Sequence, residues 1–512
     1  MRVPESYSDR IAWGLFLAFV SCLVVAGPWI HPIEDPYGPE FDGYLARVDE
    51  FREGILPKDG FRPLLYPLLS TLPAELVDDT FLGAKLMSAL AGGVAVLAAY
   101  YLGASLFGGN IALFGALLLA TNRHFIQASF RAATDILFCA MIVLTILYQV
   151  RFLRSGRYRD ILPVSFFFAL SFFTRYVAVF FLPVLFGGFL LRRGRPIGKR
   201  LGYLTLFSIC AILFLIPHFT LQVLAFGEPF HSENWRNTVL KFKGLQNVDA
   251  FHDSQYEGMA EVLTESPMFT IESWMNEMRK MVFYTFMNLN GRNTAGAFFT
   301  VFLVLGTLHV FPNRDPGILT IVCAIGSYLV ILCFFWFFDS RIALPILPYS
   351  YLLISNFILG SANREPLTLL GRQVRKGTLL ALLFLILNLQ ASWDDLRAFR
   401  DRHPLQEVEE AIRIQEEFGK DVVVLGTYWA ISRYVDYEYK ALPLGHDGVK
   451  NDVASYLNKY REKMKEIGTT HLMVGKKTLM ERPVGLLTGQ GVPPYLKKVK
   501  QNEHVTVYEF TD

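Results

Sequence analysis

The chain has 512 residues, 52% of them hydrophobic, with 44 phenylalanines and only 19% charged side chains. That balance excludes a soluble protein of this size, which would be more polar. The 49 basic and 46 acidic residues leave a formal charge of +3, a surplus too small to point to a nucleic-acid partner.

Several apolar runs meet the requirement of about 17–25 residues for a bilayer-spanning helix. In chain order, spans are expected near 11–30, 81–106, 110–127, 132–150, 160–174, 176–191, 201–225, 295–311, 317–338, 341–360 and 377–392, which makes eleven crossings. The first run is too long, and too poor in a small-residue cleavage site, for a removed signal peptide, so it is read as a retained helix. Basic residues close to span ends stay on the cytoplasmic side. They collect in three places: Arg151, Arg154, Arg157 and Arg159; Arg192, Arg193, Arg195, Lys199 and Arg200; and Arg364, Arg372, Arg375 and Lys376. All three fall on one side if the N-terminus is inside. The acidic 31–80 loop, the 122–131 turn, Arg175, the long 226–294 loop, the Asp339–Arg341 corner and the whole tail then face outward.

The five cysteines, Cys22, Cys139, Cys210, Cys323 and Cys333, lie within expected spans and show no CxxC or Cys/His spacing. Neither a disulfide framework nor a thiolate metal site is expected. From about 393 the apolar runs shorten and charge returns, so the reading divides the chain into a membrane domain, 1–392, and a soluble extracytoplasmic α/β domain, 393–512. Pro404 suits a helix N1 position, Leu405, Val408, Ile412 and Phe418 follow at helical spacing, and Gly419 offers a stop. Strands are expected at Asp421–Gly426, His471–Gly475 and Val505–Tyr508, with a helix over about 451–467.

The outer face concentrates the ionisable groups. Asp42 lies in a loop with Pro36, Gly38 and Pro39 as turn formers. Its carboxylate could accept a proton from a hydroxyl or amine nucleophile, or cap the helix that begins at Tyr44. Arg62 precedes Pro63 at the start of an apolar segment too short to span. It could hold a lipid-linked phosphate bidentately or contact ordinary anionic headgroups. Asp135 stands just inside the fourth span, where ionisable groups are costly and usually functional. Arg131 is four residues earlier and could simply neutralise it. His124 could bind phosphate or metal, or serve as a polar anchor at the membrane interface. Arg175 interrupts an apolar hairpin, and Asp339 and Arg341 flank the start of the tenth span. Each could be a snorkelling charge. Together, four arginines and two or three carboxylates on one face fit a site that stabilises a phosphate leaving group while activating a nucleophile.

In these residues the chain resembles the membrane-embedded C-class (GT-C) glycosyltransferases, among them the bacterial relatives of protein O-mannosyltransferases and of lipid A aminoarabinose transferases. The elements that carry the resemblance are Asp42-Gly43-Tyr44, Arg62-Pro63-Leu64-Leu65-Tyr66-Pro67, Arg131-Ala132-Ala133-Thr134-Asp135, Thr174-Arg175-Tyr176 and the span from Arg341 through Pro345 to Pro348. Gly43 stands where the family usually has a second acid, and Arg62 and Leu64 replace the commoner Lys and Pro.

The resemblance implies a polytopic α-helical membrane enzyme that transfers a sugar, with inversion, from a polyprenyl-phosphate donor to a lipid, glycan or protein acceptor outside the cytoplasm. It implies an inner (plasma) membrane location with a cytoplasmic N-terminus. Asp42 would activate the acceptor, and Arg62, Arg131, Arg175 and Arg341 would neutralise the departing lipid phosphate. Asp135 would tune Arg131 or serve as a second acid, and Tyr44, His124 and Asp339 would contact substrate. The 226–294 loop, with Trp235, Tyr256 and Trp274, would cover lipid and sugar. No cofactor is expected, and although His231 or His252 could bind a divalent metal, the sequence does not demand one. A transporter or flippase of lipid-linked sugars is the competing class, but it would favour broken helices at midplane and a repeat relating two halves. Neither is visible. A structural subunit with no chemistry would leave the outer-face charges unexplained.

Overall fold

The computed structural model describes residues 6–34, 43–192, 194–235, 259–280, 294–313, 315–335, 341, 343–361, 366–369, 372–400, 405–426, 429–441, 461–462, 464–475, 495–502 and 505–511. Asp42, His252, Tyr256 and Asp339 lie outside them, as does much of the expected 451–467 helix. The described chain divides into two compact units. One runs from the N-terminus to His31 and on from Gly43 through most of the chain to Arg400, and the other takes in 32–34, 259–262 and the described residues from 405 onward.

The first unit is helical. Its helices are α1 (Tyr7–Ile30), α2 (Tyr44–Arg52), α3 (Leu65–Val77), α4 (Thr80–Phe107), α5 (Gly109–Ala120), α6 (Arg123–Phe130), α7 (Asp135–Ser155), α8 (Ile161–Thr174), α9 (Leu182–Leu190) and α10 (Ile197–Phe226). After a short helix, Met259–Glu265, come α11 (Pro267–Lys280), α12 (Thr294–Val310), α13 (Pro316–Phe335), α14 (Leu347–Asn356) and α15 (Lys376–Arg400).

Six of these, α1, α4, α7, α10, α13 and α15, are long and apolar enough to cross a membrane. The chain is an integral membrane protein. Burial sorts the six: 78% of the apolar window of α7 and 67% of that of α4 lie inside, against 28% for α10 and 22% for α1 and α15. α4 and α7 therefore form the centre, and the outer helices turn leucines and isoleucines such as Ile209, Ile212, Leu213 and Ile216 outward. In water such a surface would drive association, whereas in hydrocarbon it costs nothing.

Small residues let the central helices approach. A Cβ on Gly83 of α4 would stand 2.3 Å from the Ala74 Cα of α3, so that crossing depends on glycine. Lys85 of the same helix is buried, and its ammonium donates to the carbonyls of Gly27 (3.1 Å) and His31 (2.6 Å). It thereby satisfies the His31 carbonyl past the last turn of α1 and shares the Gly27 carbonyl with the His31 N–H.

Of the five other expected spans, 295–311 forms the 17-residue α12, and four are broken or shorter still. The run 110–127 divides at Thr121-Asn122, because the Asn122 side chain caps α6 through the Phe125 N–H (3.0 Å) and donates to the Tyr351 hydroxyl (2.9 Å). The run 341–360 starts as a 3₁₀ turn, Leu344–Ile346, continues as α14 and ends in a π turn, Phe357–Ser361. Pro345 and Pro348 withhold the N–H groups that a continuous α-helix would need. On either side of Arg175, α8 has 14 residues and α9 has 9, with a 3₁₀ segment, Tyr176–Phe181, between them.

The second unit holds helix α16 (Leu405–Phe418) and a five-stranded mixed sheet. Its strands are β3 (Val423–Gly426), β4 (Glu438–Ala441), β5 (His471–Gly475), β6 (Leu496–Gln501) and β7 (Val505–Phe510), in the order β4-β3-β5-β7-β6. β3 pairs in parallel with β4 and β5, and β7 runs antiparallel to β5 and β6. A separate hairpin, β1 (Pro366–Leu369) with β2 (Arg372–Arg375), precedes α15. Ile33 belongs to the core of the second unit with Val408, Ala411, Val424 and Val507. Beside it, the fully buried Glu34 pairs with Arg433 at 2.8 Å.

Candidate functional site

α7 begins with a carboxylate, the side chain that a helix N-terminus favours. Asp135 is only 5% exposed, and a buried charge must be paired. Its Oδ1 accepts a short hydrogen bond from Arg175 Nη1, and Arg341 Nε lies 3.7 Å away. Each arginine reaches it from a break in a helical run. Arg175 is in extended backbone (φ −152°, ψ 131°) at the end of α8, and Arg341 stands just before the proline-rich 3₁₀ turn. Two guanidiniums from distant parts of the sequence thus meet one carboxylate.

A second cluster lies in the first loop. Asp59, almost fully buried, accepts the backbone N–H groups of Phe61 and Arg62 at 2.9 Å each. Its other oxygen faces Arg62 Nη1 (3.4 Å) and Arg47 Nε (3.5 Å). The Arg62 guanidinium also sits 5.9 Å from the centre of the Tyr44 ring. Tyr44 ties the clusters together, because its hydroxyl accepts from Thr134 Oγ1 at 3.1 Å, one residue before Asp135. Tyr176 follows Arg175 in sequence, and its hydroxyl is buried. The segment after α10 closes on the same loop: the Glu233 N–H donates to the Gly60 carbonyl (2.7 Å), and the Asn234 amide donates to the Phe61 carbonyl.

Of the residues singled out from sequence, Tyr44, Arg62, Asp135, Arg175 and Arg341 come together. Arg131 has a different setting. α6 ends before it, its backbone is extended, and its guanidinium lies 4.6 Å from the centre of the Phe399 ring. Arg131 and Asp135 therefore do not share a helix, and the expected four-residue helical pairing is replaced by Arg175 and Arg341 on Asp135. His124 is half-buried on α6, next to Arg123, which pairs with Asp395 of α15 at 3.1 Å. His231 stacks on Phe226, 4.2 Å between ring centres, and lies 3.7 Å from Glu233. Trp274 of α11 donates its indole N–H to the Val330 carbonyl at 3.0 Å. Trp235 ends the described segment after α10.

Asp59 was not anticipated, and Thr134 and Tyr176 were named only within motifs, without a role of their own. Lys58-Asp59-Gly60 has the composition of an ordinary turn, which hides a buried carboxylate. The one signal available was the three-residue spacing from Asp59 to Arg62.

Chemically, the arrangement suits an anion. A guanidinium carries five N–H donors in a planar fork, so holding a carboxylate does not exhaust it, and the fork matches phosphate oxygens.

Residues 61–219 match the model of the dolichyl-phosphate-mannose-protein mannosyltransferase family. That stretch includes Arg62, Arg131, Asp135 and Arg175. No curated protein matches the chain in sequence. Among solved structures, ArnT from Cupriavidus metallidurans in the apo state is 12% identical, with a TM-score of 0.59 over 98% of both chains. The same protein bound to undecaprenyl phosphate gives a TM-score of 0.55 at the same identity and coverage. The Archaeoglobus fulgidus oligosaccharyltransferase, in complex with Zn and sulfate, is 12% identical, with a TM-score of 0.54 over 91% of this chain and 68% of that one. The chain resembles these C-class glycosyltransferases and has their fold.

Proposed function

We propose that the protein transfers a sugar from a polyprenyl-phosphate-linked donor to an acceptor outside the cytoplasm, with inversion at the anomeric carbon. The observation that carries this reading is the convergence of Arg175 and Arg341 on the buried Asp135, beside Tyr44 and the Arg62–Asp59 pair. A sugar attached to polyprenyl phosphate is a phosphodiester with one negative charge. When an acceptor hydroxyl or amine attacks the anomeric carbon from the opposite face, the bond from that carbon to the phosphate oxygen breaks. The lipid phosphate then departs as a monoester carrying a second charge.

Guanidiniums fixed in advance near that oxygen stabilise charge that develops only in the transition state. Arg175, Arg341 and Arg62 take this part, with Asp135 and Asp59 holding them in place. Arg131 contributes to the electrostatics of the phosphate from the end of α6. Asp42 is the base that accepts the acceptor proton. Support for this comes from chain position, since Tyr44, two residues on, touches both clusters. His124 and Asp339 are assigned to outer-face substrate contacts.

The ArnT complex with undecaprenyl phosphate supports a polyprenyl-phosphate donor here. The basic groups at the far end of α7 support a cytoplasmic location for that end in the inner membrane. Eleven crossings from a cytoplasmic N-terminus then put the site and the domain over 393–512 outside, and the acceptor is a lipid, glycan or protein of the cell envelope.

The test is transfer of radiolabelled sugar from undecaprenyl-phosphate sugars by purified protein. Arg175→Lys keeps the charge and loses the fork, and is expected to lower turnover by about 10²–10³-fold. Full turnover by this variant would remove Arg175 from the mechanism.

A further inference from the structure

The buried face of α10 carries a stripe of Tyr203, Phe207, Ala211, Leu215, His218 and Gln222. At its last two positions the apolar pattern gives way to polar side chains that are 3% and 1% exposed. Neither has the hydrogen bonds that burial demands. His218 Nδ1 and Gln222 Oε1 have no partner, and nor does the hydroxyl of Tyr176, whose ring centre is 5.8 Å from that of His218. Buried polar atoms are almost always paired, because each unpaired one costs free energy that an apolar residue would avoid. Three in one neighbourhood, one of them on the residue next to Arg175, call for a ligand that supplies the missing partners.

The character of the groups narrows the ligand. Phenol, imidazole and carboxamide can be neutral and can both donate and accept. They are framed by rings, with Phe173 and Phe172 at 5.0 and 5.7 Å from His218 and Phe219 at 5.8 Å. An anion would call for fixed positive charge, which the arginine clusters already supply. Neutral two-way hydrogen bonders among aromatic faces suit the hydroxyls and the apolar face of a sugar ring. We infer that Tyr176, His218 and Gln222 form the subsite for the sugar of the lipid-linked donor and set its specificity. The inference rests on the transferase reading above and deepens it.

The test measures binding, so it is separate from turnover. Affinities of the purified full-length protein are compared for undecaprenyl phosphate and for undecaprenyl phosphate bearing mannose, glucose or arabinose. The wild type is expected to bind at least one of the sugar-bearing lipids more tightly than the sugar-free lipid. Gln222→Leu and Tyr176→Phe are each expected to weaken that sugar-bearing lipid about tenfold, the scale of one hydrogen bond. They should leave the sugar-free lipid unchanged. The melting temperature without ligand should hold or rise, because an unpaired buried polar atom has been removed; a purely structural role would lower it.

Three results would overturn the inference: no preference of the wild type for any sugar-bearing lipid, equal weakening of both kinds of lipid, or an effect confined to the acceptor. If the selective loss appears but no transfer is seen with any donor, the subsite stands and the transferase reading falls.

Discussion

Gly43 stands where the resemblance would place a second acid, and the backbone gives the reason. Its φ is 76°, in the left-handed region, at the cap of α2. A residue with a Cβ pays about 1–2 kcal/mol there, so an acid at this point would strain the turn that presents Tyr44 to Thr134. Gly43→Glu is therefore expected to lower stability by about 1 kcal/mol and to gain no activity, as a thermal melt and a turnover assay on the same preparation would read. A variant as stable as the wild type and more active would show that the site wants two acids in this loop. Arg62, Asp135, Arg175 and Arg341 were legible from sequence as charges in apolar surroundings. Their partners were not, because pairing depends on which helix ends meet. Arg131 shows this most clearly: with α6 ending before it, a spacing of four residues carries no helical meaning.

At the level of elements, what sequence revealed depended on burial. The central strands β3, β5 and β7 are apolar runs and were expected at nearly their observed positions. β4 and β6 were not, because they are the two edges of the sheet and carry lysines, Lys440 on one and Lys497, Lys498 and Lys500 on the other. Charge on an edge discourages pairing with other chains, and it also erases the alternating pattern by which strands are recognised. The breaks within the expected spans were hidden for another reason: a window of mean hydropathy does not register a capping Asn122 or a Pro345 turn.

The sheet also carries a pH-sensitive position. His471 opens β5, its ring 4.6 Å from that of Phe418 and its Nδ1 3.0 Å from Thr470 Oγ1. Burial lowers its pKa below the usual 6.5, and the charge of Glu509 opposes this only in part. Above pH 6.5 the imidazole is neutral whether the sheet is folded or open, and the sheet keeps its full stability. As pH falls below that value the opened chain takes up a proton that the folded one resists, so stability declines. Hydrogen exchange of the β3 and β5 amides, corrected for intrinsic rates, should show easier opening at pH 5 than at pH 7. His471→Gln should flatten that difference. An unchanged pH response in the variant would place the titrating group elsewhere.

For the molecule as a whole, α7 sets the scale. Its 21 residues span about 30 Å at 1.5 Å per residue, the thickness of a bilayer's hydrocarbon core. Asp135 marks one end, with the arginine clusters around it. The other end carries Arg151 and Arg154, and Arg154 lies 3.7 Å from Asp315 before α13. The separation of basic groups from the site was legible in the sequence as a charge bias between loops, and the helix between them turns that bias into distance. The central position of α4 and α7 was not legible, since every span is apolar and only packing tells a buried helix from one that faces lipid.

The most direct test of the account is transfer of label from undecaprenyl-phosphate sugars into membrane extract by purified wild type and Asp42→Asn, with undecaprenyl phosphate binding measured alongside. The account predicts transfer by the wild type and a loss of at least about 10²-fold in the variant, with lipid binding unchanged. Absence of transfer from every donor, together with movement of the lipid-linked sugar across proteoliposome membranes, would contradict it and make the protein a transporter.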